Sequence, residues 1–208
     1  METNVNIKAI FFDVGGVCLT NGWDETSREK LAGEFNLNFN YTEEIHNNIY
    51  EDFDRGEITI EQYVETVYFP KGKVRDFSKQ DVIQFMKNQS KSYKTTFEIL
   101  AKLKQNSDYR LATINNESFA LNQYRIDKFN LSFYFDYFFS SCYLHARKPD
   151  SGIFKTVLYI TQLLPEHCLF IDDRIENIES ARNEGFYCIH LKNIENLGEH
   201  LKKYNIKY

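Results

Sequence analysis

The chain has 208 residues, a formal net charge of −5 and 42% hydrophobic residues, among them 18 Phe and 14 Tyr. This composition predicts a well-packed globular fold and excludes a disordered chain. The acidic balance provides no positive surface field for a nucleic-acid backbone or an anionic membrane, so we predict that neither is a partner.

The cellular context is expected to be the cytoplasm. The first segment, METNVNIK, lacks the basic and apolar regions of a signal peptide. No apolar run approaches the roughly 20 residues that span a bilayer. The four cysteines form no CxxC pair, so we predict that they are buried and reduced. Cys142 and His145 lie close together in the sequence, but no second pair completes a zinc site, and zinc is rejected.

Short apolar runs alternate with longer helical patterns along the chain, which predicts strand–helix–strand units and a parallel sheet. The predicted strands are residues 7–12, 109–114, 137–140, 168–171 and 187–191. The predicted helices between the first two strands are residues 23–35, 42–53, 59–69, 78–89 and 93–105. Thr59 and Gln62 have the spacing of a helix capping box.

The expected fold is therefore α/β, a three-layer Rossmann-like parallel sheet with an inserted helical-bundle cap. We predict a core domain over residues 1–18 and 92–208, and a cap domain over residues 19–91.

Polar side chains follow several of the predicted strands. Asp13 follows the first strand, Asn115 and Asn116 follow the second, and Asp172 and Asp173 follow the fourth. Ligands of open parallel α/β sheets bind beyond the carboxyl ends of the strands. Carboxylates at Asp13 and Asp173 would form a hard oxygen site suited to Mg²⁺. Asp172 is expected to cap the following helix or to support Asp173.

The remaining polar groups suit an anionic ligand. Lys148 follows the third strand in an open site, where it would neutralise a phosphoryl group, and Asn115 would donate hydrogen bonds to its oxygens. The glycines after Asp13, Gly15 and Gly16, would let backbone N–H groups approach a phosphate. These are the components of phosphoryl transfer, which depends on positioning and charge stabilisation.

Four segments in this order resemble the haloacid dehalogenase-like (HAD) hydrolase superfamily over essentially the whole chain. The segment IFFDVGGV resembles the first motif, with Asp13 as the nucleophile, and ARKPDSGIF supplies the lysine of the third motif, Lys148. The segment YRLATINNES resembles the second motif, a strand that ends in Ser or Thr; Asn115 occupies that position by register, with Thr113 as an alternative.

The segment LFIDDRIENIESARNEG resembles the fourth motif, with Asp173 as the metal-ligating acid and Asn177 in place of a second acid. The subgroup it resembles is the helical-cap phosphatases with a DxGG first motif, which are similar to sugar-1-phosphate phosphatases and to the N-terminal domains of epoxide hydrolases. The helical insertion resembles the cap of that subgroup.

The resemblance implies a Mg²⁺-dependent phosphatase that acts on a small phosphorylated metabolite through an aspartyl-phosphate, as a monomer or homodimer. The implied catalytic residues are Asp13, Lys148 and Asn115. The implied substrate-binding residues are Asn115, Asn116, Lys148 and Gly16. The implied metal ligands are Asp13, the Gly15 carbonyl and Asp173.

The chain departs from the family pattern at Gly15, where most phosphatases of the superfamily carry a second Asp as general acid and base. Three interpretations stay open. The substrate has a leaving group that needs little protonation; a cap residue, with Glu57, His46 and Arg55 as candidates, transfers the proton; or the protein is a catalytically weak or inactive binding protein. A dehalogenase is disfavoured, because Lys148 and the paired aspartates are present and the large aromatic residue of that branch is missing.

Overall fold

A five-stranded parallel sheet forms the centre of the protein. The computed structural model describes residues 6–72, 74–105 and 108–208. The strands pair in the order β3-β2-β1-β4-β5. Their bounds are β1 Ala9–Phe12, β2 Arg110–Asn115, β3 Tyr137–Ser140, β4 Cys168–Asp172 and β5 Tyr187–His190. The five predicted strands and the parallel sheet are confirmed, with strand ends that differ from the predicted ones by no more than two residues.

Helices connect the strands, and one α-helix follows the last strand. They are α1 Glu25–Glu34, α2 Phe39–Asp54, α3 Ile60–Tyr68, α4 Lys79–Asn88, α5 Lys94–Gln105, α6 Phe119–Lys128, α7 Leu131–Tyr134, α8 Ser141–Leu144, α9 Ser151–Thr161, α10 Ile175–Asn183 and α11 Leu197–Lys202. Among the described residues, no helix is both long enough and apolar enough to cross a membrane.

Helix starts follow local capping chemistry. The second helix begins at Phe39 and not at residue 42, because the Asn38 side chain accepts a hydrogen bond from the Tyr41 amide at 3.1 Å. The predicted capping box is confirmed, since Thr59 and Gln62 exchange side-chain to backbone hydrogen bonds of 3.2 and 2.8 Å. These caps place the starts of α2 and α3.

The sheet is apolar on both faces, which explains why its strands are near-continuous hydrophobic runs. Successive side chains of β1 point to opposite faces. Ile10 and Phe12 join one buried cluster, which includes residues of α5 and α11, and Ala9 and Phe11 join a second, which includes residues of α9 and α10. The four cysteines are buried and form no disulfide, as predicted.

The inserted helices α1 to α4 have an apolar cluster of their own. Phe53 and Tyr63 belong to it and stack with ring centroids 4.2 Å apart and an interplanar angle of 11°. Leu121 of α6 also belongs to this cluster and connects it to the sheet region. The two ends of the insertion lie side by side, since the Thr20 N–H donates a hydrogen bond to the Lys91 carbonyl oxygen at 2.8 Å. The cap boundaries at residues 19 and 91 stay a prediction that this arrangement supports.

Candidate active site

A cavity of about 560 Å³ lies between the carboxyl ends of the central strands and helices α1 and α2. The sheet side contributes loop residues that follow β1, β2 and β4, and the inserted side contributes polar and aromatic side chains. The core residues include Asp13, Gly15, Asn116, Glu117, Lys148, Asp173 and Asn177, and the inserted residues include Trp23, Arg28, His46, Tyr50 and Asp54.

Lys148 is buried beneath this cavity between two carboxylates. Its Nζ lies 3.0 Å from Asp13 Oδ2 and 2.6 Å from Asp172 Oδ2, and its side chain is only 1% exposed. Burial opposes the charged form, but Asp13 and Asp172 outweigh this effect and raise the pKa of Lys148 above its ordinary value. The expectation of a lysine in an open site is therefore wrong. Lys148 is a buried ammonium that these carboxylates hold in its charged form.

Asn116 fixes the backbone of this lysine. Its amide nitrogen donates to the Lys148 carbonyl at 2.7 Å, and its amide oxygen accepts from the Lys148 N–H at 2.8 Å. Asn116 also lines the cavity. The predicted substrate contact of Asn116 stays a prediction, and its observed contacts are with Lys148.

Three carboxylates gather at the ends of β1 and β4. Asp13, Asp172 and Asp173 each have one carboxylate oxygen within 4.8 Å of an oxygen of the other two. Asp172 accepts hydrogen bonds from Lys148 and from the Asn177 amide, the latter at 3.0 Å to each oxygen. Asn177, which stands where a second acid is typical, therefore neutralises no charge and instead orients Asp172.

This carboxylate cluster fits a divalent cation. Burial raises the pKa of Asp13 well above its ordinary value, Lys148 opposes that rise, and Asp172 and Asp173 add to it. Among the described residues, the buried Oδ1 of Asp173 has no hydrogen-bond partner, whereas its Oδ2 accepts from Asn21 at 3.2 Å. Three carboxylates with one ammonium leave an excess of negative charge. A hard cation with oxygen ligands would satisfy both the charge and the free oxygen.

Asn115 does not face the cavity. Its side chain is 1% exposed, accepts a hydrogen bond from Ser140 Oγ at 2.9 Å and donates to Asn122 Oδ1 at 3.0 Å. The alternative residue, Thr113, is fully buried and lies 3.4 Å from the Asn115 amide oxygen. Neither placement supports direct contact with a ligand. Alternation along β2 sends Asn115 inward, and the residues that follow it reach the cavity.

Gly16 has a different role from the predicted one. Its N–H already donates to the Leu19 carbonyl at 2.7 Å, so this conformation does not offer it to a phosphate. Its φ is +75°, and a Cβ at this position would overlap the Asp173 carboxylate. Gly16 therefore allows the loop after β1 to pass against Asp173. Gly15 lines the cavity, as its predicted carbonyl role requires.

Of the three cap candidates for proton transfer, only His46 lines the cavity. Its Nδ1 lies 2.7 Å from the Tyr63 hydroxyl, which accepts a hydrogen bond from Trp23 Nε1 at 3.0 Å. Burial, with a smaller contribution from Arg28, lowers the pKa of His46 to about 4. Glu57 and Arg55 are not among the described residues that line the cavity, and Arg55 pairs with Glu51 at 3.0 Å.

Sequence reasoning missed a set of cation–carboxylate pairs around the cavity. Their members are far apart in the sequence or lie outside the four motifs, so no local pattern indicates them. The pairs are Arg28 with Glu43 at 2.6 Å, Arg147 with Asp54 at 3.1 Å and with Glu51 at 3.2 Å, and Arg125 with Glu117.

Two curated proteins are similar to this chain. Drimenol cyclase drtB of Aspergillus calidoustus is 26% identical over 187 residues, which are 86% of this chain and 33% of that protein. Flavin mononucleotide hydrolase 1, chloroplatic, of Arabidopsis thaliana is 27% identical over 161 residues, which are 77% of this chain and 64% of that protein. The chain thus matches about a third of the first relative and just under two thirds of the second.

Solved structures show the same fold. A HAD family enzyme from Bacteroides thetaiotaomicron superposes with a TM-score of 0.80 at 20% identity, over 94% of this chain and 98% of the other. The same enzyme has been solved in complex with magnesium and inorganic phosphate, and that form superposes with a TM-score of 0.71 at 21% identity, over 88% of this chain and 93% of the other.

Most of the sequence matches one family of enzymes. The match covers residues 7–185, from just before β1 into the loop after α10, and so includes the carboxyl ends of β1 to β4. This chain belongs to the haloacid dehalogenase-like hydrolases.

Proposed function

We propose that this hydrolase is a Mg²⁺-dependent phosphomonoesterase in which Asp13 attacks the phosphorus of a small phosphorylated metabolite. The observation that carries the proposal is the position of Lys148, whose ammonium lies 3.0 Å from Asp13 and 2.6 Å from Asp172 beneath the cavity. Such a cation neutralises charge where a phosphoryl group would meet the nucleophile. The flavin mononucleotide hydrolase relative and the neighbour solved with magnesium and phosphate support the same chemistry.

The proposed reaction has two displacements at phosphorus. A carboxylate oxygen of Asp13 attacks, the bond to the leaving oxygen breaks, and the phosphoryl group is left on Asp13. Water then attacks phosphorus, phosphate departs and the Asp13 carboxylate is restored. Lys148 stays charged throughout and offsets the negative charge of the phosphoryl oxygens.

We propose Asp13, Asp173 and the Gly15 carbonyl as the groups that would hold Mg²⁺. When bound, the ion supplies positive charge that favours ionised Asp13 and stabilises the phosphoryl oxygens. Asn116 and Lys148 are the proposed phosphate contacts. Asn115 is proposed to act indirectly, through its hydrogen bonds to Asn122 and Ser140.

The alternative is a protein that binds a phosphorylated ligand without turning it over, and Gly15 favours it, because a glycine supplies no acid–base side chain. Steady-state phosphate release separates the two functions. We expect release from a panel of sugar phosphates, flavin mononucleotide and acyl phosphates in Mg²⁺, loss of release in EDTA, and no release by the Asp13→Asn variant.

Mass spectrometry of the quenched reaction should find a phosphorylated Asp13. Phosphate binding without turnover of any substrate would favour the binding protein. Halide release from a haloacid, independent of Mg²⁺, would contradict the phosphatase.

A further inference from the structure

Glu117 is a buried carboxyl group on the wall of the cavity that contains Asp13. It lies in the loop between β2 and α6, directly after Asn116, and its side chain is 7% exposed. Its N–H donates to Ser141 Oγ at 2.9 Å, and its Oε1 accepts from the Ser118 N–H at 3.2 Å. Both its backbone and its carboxyl group are thus held in place before any ligand binds.

We propose that Glu117 is the acid–base residue that takes over the role of the aspartate missing at Gly15. The inference rests on the proposed phosphatase function and deepens it. It replaces the predicted cap candidates with a core residue, because Glu57 and Arg55 do not line the cavity and Glu117 does.

The electrostatic surroundings suit a group that both gives and takes a proton. Burial raises the pKa of Glu117 to about 7, against the opposing effect of Arg125 on α6 and with a further rise from Asp54 on α2. The Cys142 thiol lies on α8, and burial raises its pKa to about 12, so this thiol is neutral near pH 7. Acid–base catalysis is most effective when the pKa lies near the working pH. His46, with a pKa of about 4, is a neutral imidazole near pH 7 and has no imidazolium proton to donate to a leaving group.

The proton balance of the two steps is complete with Glu117 alone. As Asp13 attacks phosphorus and the bond to the leaving oxygen breaks, the Glu117 carboxyl proton moves to that oxygen. The product alcohol departs and Glu117 is left as a carboxylate. In the second step, Glu117 takes one proton from the attacking water while the bond between phosphorus and Asp13 breaks. Phosphate is released and the Glu117 carboxylic acid is restored.

A purely structural role is the competing explanation. Glu117 pairs with Arg125, whose Nε donates to Ser90 Oγ at 3.0 Å, so the pair also ties α6 to the end of the insertion. Loss of an ion pair would lower stability and affect all substrates alike. Loss of a general acid depends on the leaving group, and this dependence separates the two roles.

The experiment compares Glu117→Gln with the unmodified protein on an alkyl phosphate, p-nitrophenyl phosphate and acetyl phosphate. We expect kcat/KM for the alkyl phosphate to fall by about 10²–10⁴-fold, with a progressively smaller loss as the leaving group improves. The unmodified protein should lose kcat/KM for the alkyl phosphate above pH 7, as Glu117 ionises, and the variant should lack this limb of the profile.

The matched control is Glu43→Gln, which breaks the Arg28–Glu43 pair without removing a carboxyl group that lines the cavity. It should change kcat/KM for all three substrates by one common factor. The double variant Gly15→Asp with Glu117→Gln should recover alkyl phosphate turnover. The nearest atom to a Cβ at Gly15 is Asn21 Oδ1, at 2.8 Å on a movable side chain, and the φ of Gly15 lies outside the left-handed region.

Two results would overturn the proposal while the phosphatase function stands. One is a Glu117→Gln variant whose kcat/KM falls equally for all three substrates, and the other is a variant that still loses kcat/KM for the alkyl phosphate above pH 7. An unmodified protein that releases no phosphate from any substrate would overturn both. If Glu117→Gln does not fold, Glu117→Asp decides the matter. Its shorter side chain withdraws the carboxyl group, and an unchanged alkyl phosphate rate would contradict a direct proton transfer.

Discussion

The two walls of the cavity hold their polar groups in different ways. On the core wall, Asp13, Asp172 and Lys148 form a buried charged cluster at the strand ends. On the cap wall, Trp23, Tyr63 and His46 form a hydrogen-bonded chain in which burial favours the neutral imidazole. Buried charges cost free energy unless they are paired, whereas a neutral network needs only hydrogen bonds. The core wall is therefore built around buried charges, whereas the cap wall combines this neutral network with the paired charges of Arg28 and Asp54.

Arg147 connects these two walls. It precedes Lys148 in the chain and forms ion pairs of 3.1 and 3.2 Å with Asp54 and Glu51 of the cap helix α2. Its guanidinium also lies 4.9 Å from the centre of the Tyr50 ring. The position of the cap helix is thus tied to the residue next to the buried lysine.

The largest effect is expected on the core wall. Lys148→Ala should lower turnover by at least about 10²-fold, because a charge at the phosphoryl group is lost. It should also lower the free energy of unfolding by roughly 3–5 kcal/mol at pH 7, because Asp13 and Asp172 are left without their cation. The loss should be smaller at pH 5, because burial raises the pKa of Asp13 well above its ordinary value and Asp13 takes up a proton there in the folded state. Phosphate release and urea unfolding at both pH values measure these effects.

Lys155→Ala is the matched control, because Lys155 is 64% exposed and its 3.5 Å pair with Glu184 contributes at most about 1 kcal/mol. Equal stability losses for Lys148→Ala and Lys155→Ala would contradict the buried charged cluster.

The stability of the cap wall should also depend on pH, because its hydrogen-bonded network needs a neutral His46 imidazole. The folded protein holds the pKa of His46 at about 4, below its ordinary value of 6.5. Proton uptake therefore favours the unfolded chain, and the His46 contribution to stability should rise by roughly 3 kcal/mol as the pH increases from 4 to 6.5. The difference in unfolding free energy between the unmodified protein and His46→Gln, measured across this range, isolates that contribution. A difference that does not vary with pH would contradict the neutral network.

The excess negative charge of the core wall predicts a stabilising metal. At a Mg²⁺ concentration 100 times the dissociation constant, the free energy of unfolding should rise by about 2.7 kcal/mol. Thermal unfolding with and without Mg²⁺ measures this increase, and Asp173→Asn should abolish it. Ca²⁺ and Na⁺ at equal ionic strength are the controls. A rise that survives in Asp173→Asn would place the ion elsewhere.

The smallest effect is expected in the loop that supports the core wall. Gly16→Ala should cost about 2 kcal/mol of unfolding free energy, since φ is +75° and the new Cβ must displace Asp173. It should also weaken the Mg²⁺ stabilisation. Gly33→Ala is the control, because a Cβ there meets no atom within 4 Å and lies inside helix α1, where alanine stabilises by about 0.5–1 kcal/mol. Thermal unfolding that shows the same change for both variants would contradict the role assigned to Gly16.

Local patterns were enough to predict the five strands, the inserted helices and the strand ends that carry Asp13 and Asp173. Apolar periodicity and capping residues act within a few positions of the chain, so they can be recognised in the sequence. The parallel order of the strands then brings their carboxyl ends to one edge. The identity of the nucleophile and of the metal ligands stays a proposal on that basis.

Contacts between distant residues were decided only by the tertiary structure. Asn115 turns inward to hydrogen bonds with Ser140 and Asn122, and the next two residues, Asn116 and Glu117, line the cavity. Lys148 is buried because two carboxylates from other strands surround it. Side-chain direction and burial depend on neighbours that no short stretch of sequence contains. For this reason the candidate acid–base residue emerged from the packing of the strand ends and not from the motifs.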